Sequence, residues 1–363
     1  MLTKEHGRLY YLKLVHDQKC GWAAVLPRSI LRFCSWIYGL IVRGMRWAYQ
    51  RRLLKSYQLG RPVISVGNVT WGGVGKTPLV ELIVEMLWNS GKKPVVLIRG
   101  YMPGKKELRE AISDEAQVLN QAFNGRVPVI VNRDRVQGAL NVPANYAHDI
   151  FVLDDGFQQW RIRRDLNIVA IDSLNPFGNY SLIPRGILRE PLTALKYADL
   201  IVLMKADLGS GHLYRVKQEL KRFCPRAGIV EAVHEAENFF DLRSRKQRGL
   251  AELSGEKVML VSGIGTPQAF EHTAKETGLN VQEHFIYPDH HCYRQEDVRK
   301  IAGQMTELGI SVLVMTAKDA VKLDDELLKL FPAEALLFVL KVKVRIIEGE
   351  KIFSDAIHHL YNH

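Results

Sequence analysis

No aspartate or glutamate occurs between Gln18 and Val80. That stretch instead carries Lys19, Arg28, Arg32, Arg43, Arg46, Arg51, Arg52, Lys55, Arg61 and Lys76. These ten cations account for nearly all of the formal net charge of +11, since the rest of the chain balances 40 basic against 39 acidic residues. Basicity confined to one segment excludes a generally basic protein and points to a docking surface for something anionic. Cysteine is also scarce. Cys20, Cys34, Cys224 and Cys292 form no C-x-x-C pair and share no metal-ligand spacing, so a disulfide scaffold is excluded and reduced thiols are expected. The first 20 residues lack an apolar core before a small-residue cleavage site, so no signal peptide is read there. The expected location is the cytosol, at a membrane face. Internal repeats and low-complexity segments are missing, and 47% apolar with 25% charged residues is the balance of an ordered globular protein. At 363 residues, two domains are expected.

Long apolar runs are absent as well. Leu26, Ile30, Phe33, Ile37, Leu40, Ile41, Gly44, Trp47 and Ala48 recur at the spacing of one helix face, opposite Arg28, Arg32, Ser35, Gly39, Arg43, Arg46 and Gln50. The longest uncharged run of this helix, Phe33 to Val42, is ten residues, against the roughly 20 that a bilayer-crossing helix needs. A basic amphipathic helix with Trp36 and Trp47 reads as lying in the headgroup layer of an anionic leaflet. The competing reading is a core helix with a solvated arginine face.

Short apolar strands alternating with helices follow. Strands are expected at 62–66, 93–98, 127–131, 150–153, 168–171 and 200–204, with helices at 79–88 and 114–122. The pattern restarts after Asp207, with helices at 214–224, 267–277 and 298–308 and strands at 257–262, 312–315 and 336–344. The expected fold class is α/β: a P-loop NTPase-like parallel-sheet domain, a second, smaller α/β lobe and an N-terminal amphipathic basic helix. The expected divisions are 1–60 for the helix region, 61–207 for the nucleotide core and 208–344 for the smaller lobe. The tail from about 345 to 363 is expected to return to the core.

Gly72-Gly73-Val74-Gly75-Lys76-Thr77 sits between an expected strand and an expected helix, the context a P-loop requires. Glycines let backbone N–H groups converge on phosphate, and the helix N-terminus adds partial positive charge. Lys76 would reach the β- and γ-phosphates, and the Thr77 hydroxyl would serve Mg²⁺. The usual G-x-x-x-x-G-K-[ST] pattern wants glycine at position 70, where this chain has Thr70. Ile150 to Asp155 is an apolar strand ending in two carboxylates, which directs Asp154 or Asp155 at the same metal. Val202-Leu-Met-Lys-Ala-Asp207 resembles a guanine-recognition box with Met204 in place of the amide, which favours ATP over GTP. Ser113-Asp-Glu115 opens a helix and reads equally as a Ser N-cap with acids at the dipole. Pro288-Asp-His-His-Cys-Tyr293 places His290 and His291 beside Asp289 in a loop. A histidine oriented by a carboxylate suits general-base work on a hydroxyl better than zinc, for which no second ligand cluster exists.

With these residues in view the chain resembles the tetraacyldisaccharide 4'-kinases of lipid A synthesis, over roughly 61–323. Ser65-Val-Gly-Asn-Val-Thr-Trp-Gly-Gly-Val-Gly-Lys-Thr-Pro78 looks like that family's P-loop, including the non-glycine at position 70. Arg99-Gly-Tyr101, Asp114-Glu115, Asn132-Arg-Asp-Arg135, Leu153-Asp-Asp-Gly-Phe-Gln158 and Arg164-Asp-Leu166 follow in the family's order. So do Pro184-Arg-Gly-Ile-Leu-Arg-Glu-Pro191, Gly263-Ile-Gly265, Asp289-His-His291 and Lys318-Asp-Ala-Val-Lys322. The resemblance implies ATP- and Mg²⁺-dependent phosphorylation of the 4'-hydroxyl of a tetraacylated glucosamine disaccharide 1-phosphate. It also implies a peripheral site on the cytoplasmic face of a Gram-negative-type inner membrane. By matching motifs it implies Asp114 with His290 as the catalytic pair, assisted by Lys76, and Thr77, Asp154, Asp155 and Glu190 for the metal. Asn68, Arg99, Arg135 and Arg189 are implied on the substrate side. Three positions depart from the family: Ser113 for Gly, Arg185 for a small residue and Ala317 for Glu.

Two other readings compete. A membrane-associated P-loop GTPase or ATPase switch would hydrolyse nucleotide without an acceptor. A nucleic-acid binder would explain the basic segment, but that segment contains no recognised nucleic-acid module, so no nucleic-acid partner is expected.

Overall fold

The computed structural model describes residues 10–11, 13–15, 17, 21–100 and 114–361. Lys19, Cys20, Tyr101 of the Arg99–Tyr101 motif and the expected N-cap Ser113 lie outside the described residues. The helices used below are α1 (Trp22–Gln50), α2 (Lys76–Asn89), α3 (Asp114–Phe123), α4 (Arg135–Leu140), α5 (Leu213–Phe223), α6 (Pro267–Glu276), α7 (Gln295–Glu307), α8 (Ala317–Ala320), α9 (Asp325–Leu328) and α10 (Glu350–His358). The strands are β1 (Val63–Gly67), β2 (Pro94–Ile98), β3 (Val129–Val131), β4 (Ile150–Asp154), β5 (Leu166–Asp172) and β6 (Leu200–Met204). They continue with β7 (Gly228–Asp241), β8 (Gln247–Arg248), β9 (Lys257–Ser262), β10 (Asn280–Ile286), β11 (Val312–Met315) and β12 (Leu336–Glu348). The class is α/β, with mostly parallel strand pairing.

The chain divides into two compact units. The first comprises Met1–Gly72, Asp155–Glu231 and Ile347–His363; the second comprises Gly73–Asp154 and Ala232–Ile346. In the first unit β5 runs between β1 and β6, parallel to both, with Val66 opposite Ile168 and Ile171 opposite Leu203. Every residue of β1 and β6 is buried, as expected of strands covered on both faces. Val69, Phe157, Val169, Ile171, Phe177, Leu203 and Leu220 form the adjoining core.

The α1 helix is 29 residues, about 43 Å at 1.5 Å per residue. By length and composition alone it could cross a bilayer, which corrects the expectation of an element too short to span. Its contacts show how it is held. Ser35 Oγ donates to the Leu182 carbonyl at 2.7 Å and accepts from the Arg185 amide at 2.9 Å. Tyr38 donates its hydroxyl to the Arg189 carbonyl at 2.8 Å, and Arg46 pairs with Glu190. A core helix buries its apolar stripe, whereas α1 docks through Ser35, Gly39, Val42 and Arg46. It leaves Phe33 at 62% and Trp36 at 58% exposed, together with Ile30, Ile37, Ile41 and Trp47. The core-helix reading with a solvated arginine face is thereby overturned.

In the second unit β2 lies between β4 and β3, all parallel, and β9 lies between β10 and β11, with β12 parallel beside β11. α2 packs on β2 and β4, and α3 contacts α2, β3 and α8. Two apolar clusters fill the spaces around β9 and β11. One holds Met259, Ile301, Met305, Leu313 and Leu337, and the other Phe239, Leu260, Phe270, Val314 and Phe338.

Candidate active site

Gly75 caps α2 with φ 94° and ψ 28°, a left-handed conformation that a residue carrying Cβ resists, so Lys76 and Thr77 open the helix directly. The first amides of such a helix have no intrahelical acceptor and form an anion site. Thr77 is buried. The anomaly at position 70 has a structural answer. Thr70 is buried, forms an antiparallel bridge with Leu188, and its carbonyl accepts a 2.7 Å bond from Asn68 Nδ2. Within the second unit the Gly263–Gly265 turn closes on the Gly-rich turn. A Cβ on Gly265 would fall 2.6 Å from the Gly73 nitrogen and 3.5 Å from Asp289 Oδ2. Nothing in the separate motifs announced this approach.

Asp114 and Glu115 begin α3, where acids suit the helix dipole. His290 adopts φ 60° and places Nδ1 3.3 Å from Asp114 Oδ2. Its Nε2 stays 3.9 Å from Asp289 Oδ2 and 4.0 Å from Glu115 Oε1, beyond hydrogen-bond reach of either. The Asp114 hydrogen bond raises the His290 pKa above that of a free imidazole, against the effect of burial. Burial works to raise the Asp114 pKa, but the His290 hydrogen bond and the Lys322 charge outweigh it and hold it low. Lys322 Nζ is 3.4 Å from Asp114 Oδ2, and Lys318 Nζ is 3.3 Å from Glu115 Oε1. His291 is turned elsewhere. It stacks on Tyr287 with centroids 4.4 Å apart and lies 3.0 Å from Asp297, a structural role that the adjacent pair in the sequence could not distinguish.

The paired acids fall in different units. Asp154 closes β4 of the second, and its carbonyl accepts from Arg135 Nη2 at 2.6 Å; both residues are buried. Asp155 belongs to the first unit, with φ 51°, and takes Arg189 Nη1 on Oδ1 at 2.7 Å. Arg189 also donates to Asn68 Oδ1 at 3.3 Å. Glu190 is fully buried, with Oε2 on Arg46. Its Oε1 has no hydrogen-bond partner among the described residues. Burial raises the Glu190 pKa, and the nearby Arg46, Arg164 and Arg189 only partly offset it. Arg99 is exposed at the end of β2. In the guanine-like box, Met204 is buried at the end of β6 and Lys205 is buried against Asp172 Oδ2 at 2.5 Å.

The family model described as tetraacyldisaccharide-1-P 4'-kinase matches residues 27–362. The tetraacyldisaccharide 4'-kinase of Halothermothrix orenii is 34% identical over 361 residues, covering 93% of this chain and 94% of that protein. That of Geobacter sulfurreducens is 33% identical over 347 residues, covering 92% and 94%. The crystal structure of LpxK from Aquifex aeolicus in complex with ATP superimposes with a TM-score of 0.70 at 27% identity, covering 92% of this chain and 99% of that one. With a P-loop opening α2 and a match that runs from within α1 to the C-terminal tail, the chain belongs to the tetraacyldisaccharide-1-P 4'-kinase family of phosphotransferases.

Proposed function

We propose that this chain transfers the γ-phosphate of ATP to the 4'-hydroxyl of a tetraacylated glucosamine disaccharide 1-phosphate, with Mg²⁺, on the cytoplasmic face of a Gram-negative-type inner membrane. The observation that carries the reading is the Asp114–His290 couple, in the same compact unit as Gly73–Thr77. His290 Nε2 takes the hydroxyl proton, and Asp114 steadies the imidazolium through Nδ1. The acceptor oxygen bonds to the γ-phosphorus as the bond to the β–γ bridging oxygen breaks, and ADP leaves. Lys76 and the α2 amides bind phosphate oxygens and stabilise the charge that develops on them.

Mg²⁺ takes oxygen ligands, and the buried Thr77 hydroxyl and Asp154 carboxylate supply such donors within the second unit. In the first unit Oε1 of Glu190, buried and without a hydrogen-bond partner among the described residues, has the same chemistry, and Asp155 offers a carboxylate held by Arg189. When bound, the ion would neutralise phosphate charge. The exposed apolar face of α1, rimmed by Arg32 and Arg43, supports the membrane location.

The test is transfer of labelled γ-phosphate from ATP to the tetraacylated disaccharide 1-phosphate in detergent micelles, comparing wild type with Asp114→Ala. Labelled lipid that is lost in the variant supports the assignment. Acceptor-independent phosphate release without labelled lipid would replace it with a nucleotide switch.

A further inference from the structure

Beside the couple lies a second buried carboxylate. Asp319, on α8, is fully buried. Its Oδ1 accepts from the Gly263 amide and from the Tyr293 hydroxyl, each at 3.0 Å, and its Oδ2 accepts the Thr316 hydroxyl at 2.5 Å. Tyr293 stands three residues after His290, and Gly263 opens the turn whose Gly265 meets Gly73. One carboxylate therefore ties together the His290 loop, the turn against the P-loop and α8, which the Lys322 turn follows.

Lys322 completes the connection. Its side chain is only 9% exposed, and Nζ lies 3.6 Å from Asp319 Oδ1 and 3.4 Å from Asp114 Oδ2. A nearly buried ammonium carries a large desolvation penalty unless anions compensate it, and here two carboxylates from different segments do so. Lys322 and His290 address the same oxygen of Asp114. The rotamer of that carboxylate is thus held by a cation in the turn that follows the anchored α8, whether or not the imidazole is charged.

We propose that Asp319 and Lys322 are a positioning pair for the Asp114–His290 couple: Asp319 holds Lys322 and the His290 loop in one frame, and Lys322 orients the Asp114 carboxylate. The inference rests on the reading of that couple as acceptor of the hydroxyl proton. Among the described residues, the charged groups facing the couple are Glu115 on α3, Asp289 in the His290 loop, and Lys318 and Lys322 on and after α8. Lys318 is engaged with Glu115, so among the described residues Lys322 is the lysine paired with Asp114.

The test measures kcat and both KM values against pH for the full chain with ATP and the glycolipid in micelles, using Lys322→Met, Lys322→Arg, Asp114→Asn and the Asp114→Asn/Lys322→Met double variant. Lys322→Met is expected to lower kcat roughly tenfold with both KM values nearly unchanged, a modest share of a general-base contribution. Removing a cation beside Asp114 makes the couple more basic, so the acid limb should move up by about one pH unit. Lys322→Arg should restore both. In the Asp114→Asn background Lys322→Met should add almost nothing, because its effect passes through Asp114. An unmoved acid limb, or the same fold-loss in both backgrounds, would overturn the positioning role while leaving the kinase reading intact. If Lys322→Met does not fold, Lys322→Arg decides: a wild-type profile supports the pair, and a tenfold loss with an unmoved limb overturns it. Absence of labelled lipid with wild type would instead overturn the reading on which the inference stands.

Discussion

Asp114 and His290 stand 176 positions apart in the chain, and their Oδ2 and Nδ1 atoms lie 3.3 Å apart. The hydrogen bond raises the His290 pKa above 6.5, so the imidazole stays protonated to higher pH than a free one. A general base must be neutral, and the acid limb of kcat/KM is therefore expected above 6.5. His290→Asn should abolish that limb and lower kcat by about 10²–10⁴. The stability linkage has the opposite sign. A raised folded pKa gives stabilisation that is present below the unfolded value and lost as pH rises through the folded one. His290→Asn should accordingly lower Tm more in mildly acidic buffer than in alkaline buffer. A deficit that grows with pH would mean that His290 is not protonated by its contact with Asp114.

The Gly-rich turn predicts a different kinetic signature. Lys76 opens α2 behind the left-handed Gly75, which fixes where its stem begins. Lys76→Ala should remove a charge that acts on the transferring phosphoryl group, with a loss of about 10²–10³ in kcat at saturating ATP. Circular dichroism and Tm should stay near wild type. Near-normal turnover would refute the assignment of phosphate binding to this turn.

The parallel strands were legible because β1, β2, β4 and β6 are buried along their whole length, so each reads as a predominantly apolar run, broken only by Ser65 in β1 and the terminal Asp154 of β4. β7 was not. Glu231, Glu235 and Glu237 interrupt its 14 residues, and Glu235 lies within reach of Lys343 and Arg345, so its pattern is polar where an apolar run was sought. β10 was missed for a related reason: it is largely half-exposed and carries Asn280, Gln282, Glu283 and His284. α10 escaped because the nine-residue helix follows directly on β12, with Gly349 in the left-handed region at the junction. At the candidate site each motif was readable alone, since each is local. The pairings were not. No spacing links Asp319 with Tyr293, Arg46 with Glu190, or Gly265 with Gly73, because tertiary packing alone brings them together. Periodicity was enough to find α1, but it could not say which face docks.

Arg46 offers a test of stability in the first unit. It pairs with the fully buried Glu190 and lies over the rings of Phe157, Trp160 and Tyr197 at 5.4, 5.2 and 4.6 Å. Arg46→Met keeps much of the packing but strips Glu190 of its closest cation, and a loss of about 3 kcal/mol is expected in denaturant unfolding. Because burial already raises the Glu190 pKa, removing Arg46 raises it further. Protonation then relieves the buried charge, so the deficit should shrink as pH falls. Adding Glu190→Gln to Arg46→Met should recover part of the loss. A deficit that is independent of pH and unchanged in the double variant would assign Arg46 to ring packing alone.

The outer face of α1 makes the last prediction. Phe33 and Trp36 stack with centroids 6.3 Å apart and are 62% and 58% exposed, so replacing both with Ser removes little buried contact and should change stability by no more than about 1 kcal/mol, as expected for two surface substitutions. If this face enters the headgroup layer, each large apolar side chain contributes about 1.5–3 kcal/mol to partitioning. The double variant should then bind anionic vesicles at least tenfold more weakly. Arg32 and Arg43 should add a salt-sensitive term of about 1 kcal/mol each, lost in high salt and absent with neutral lipid. Equal partitioning of wild type and the Phe33→Ser/Trp36→Ser variant into anionic vesicles would show that the exposed stripe is not the membrane contact. Binding that is insensitive to lipid charge would remove the arginines from it.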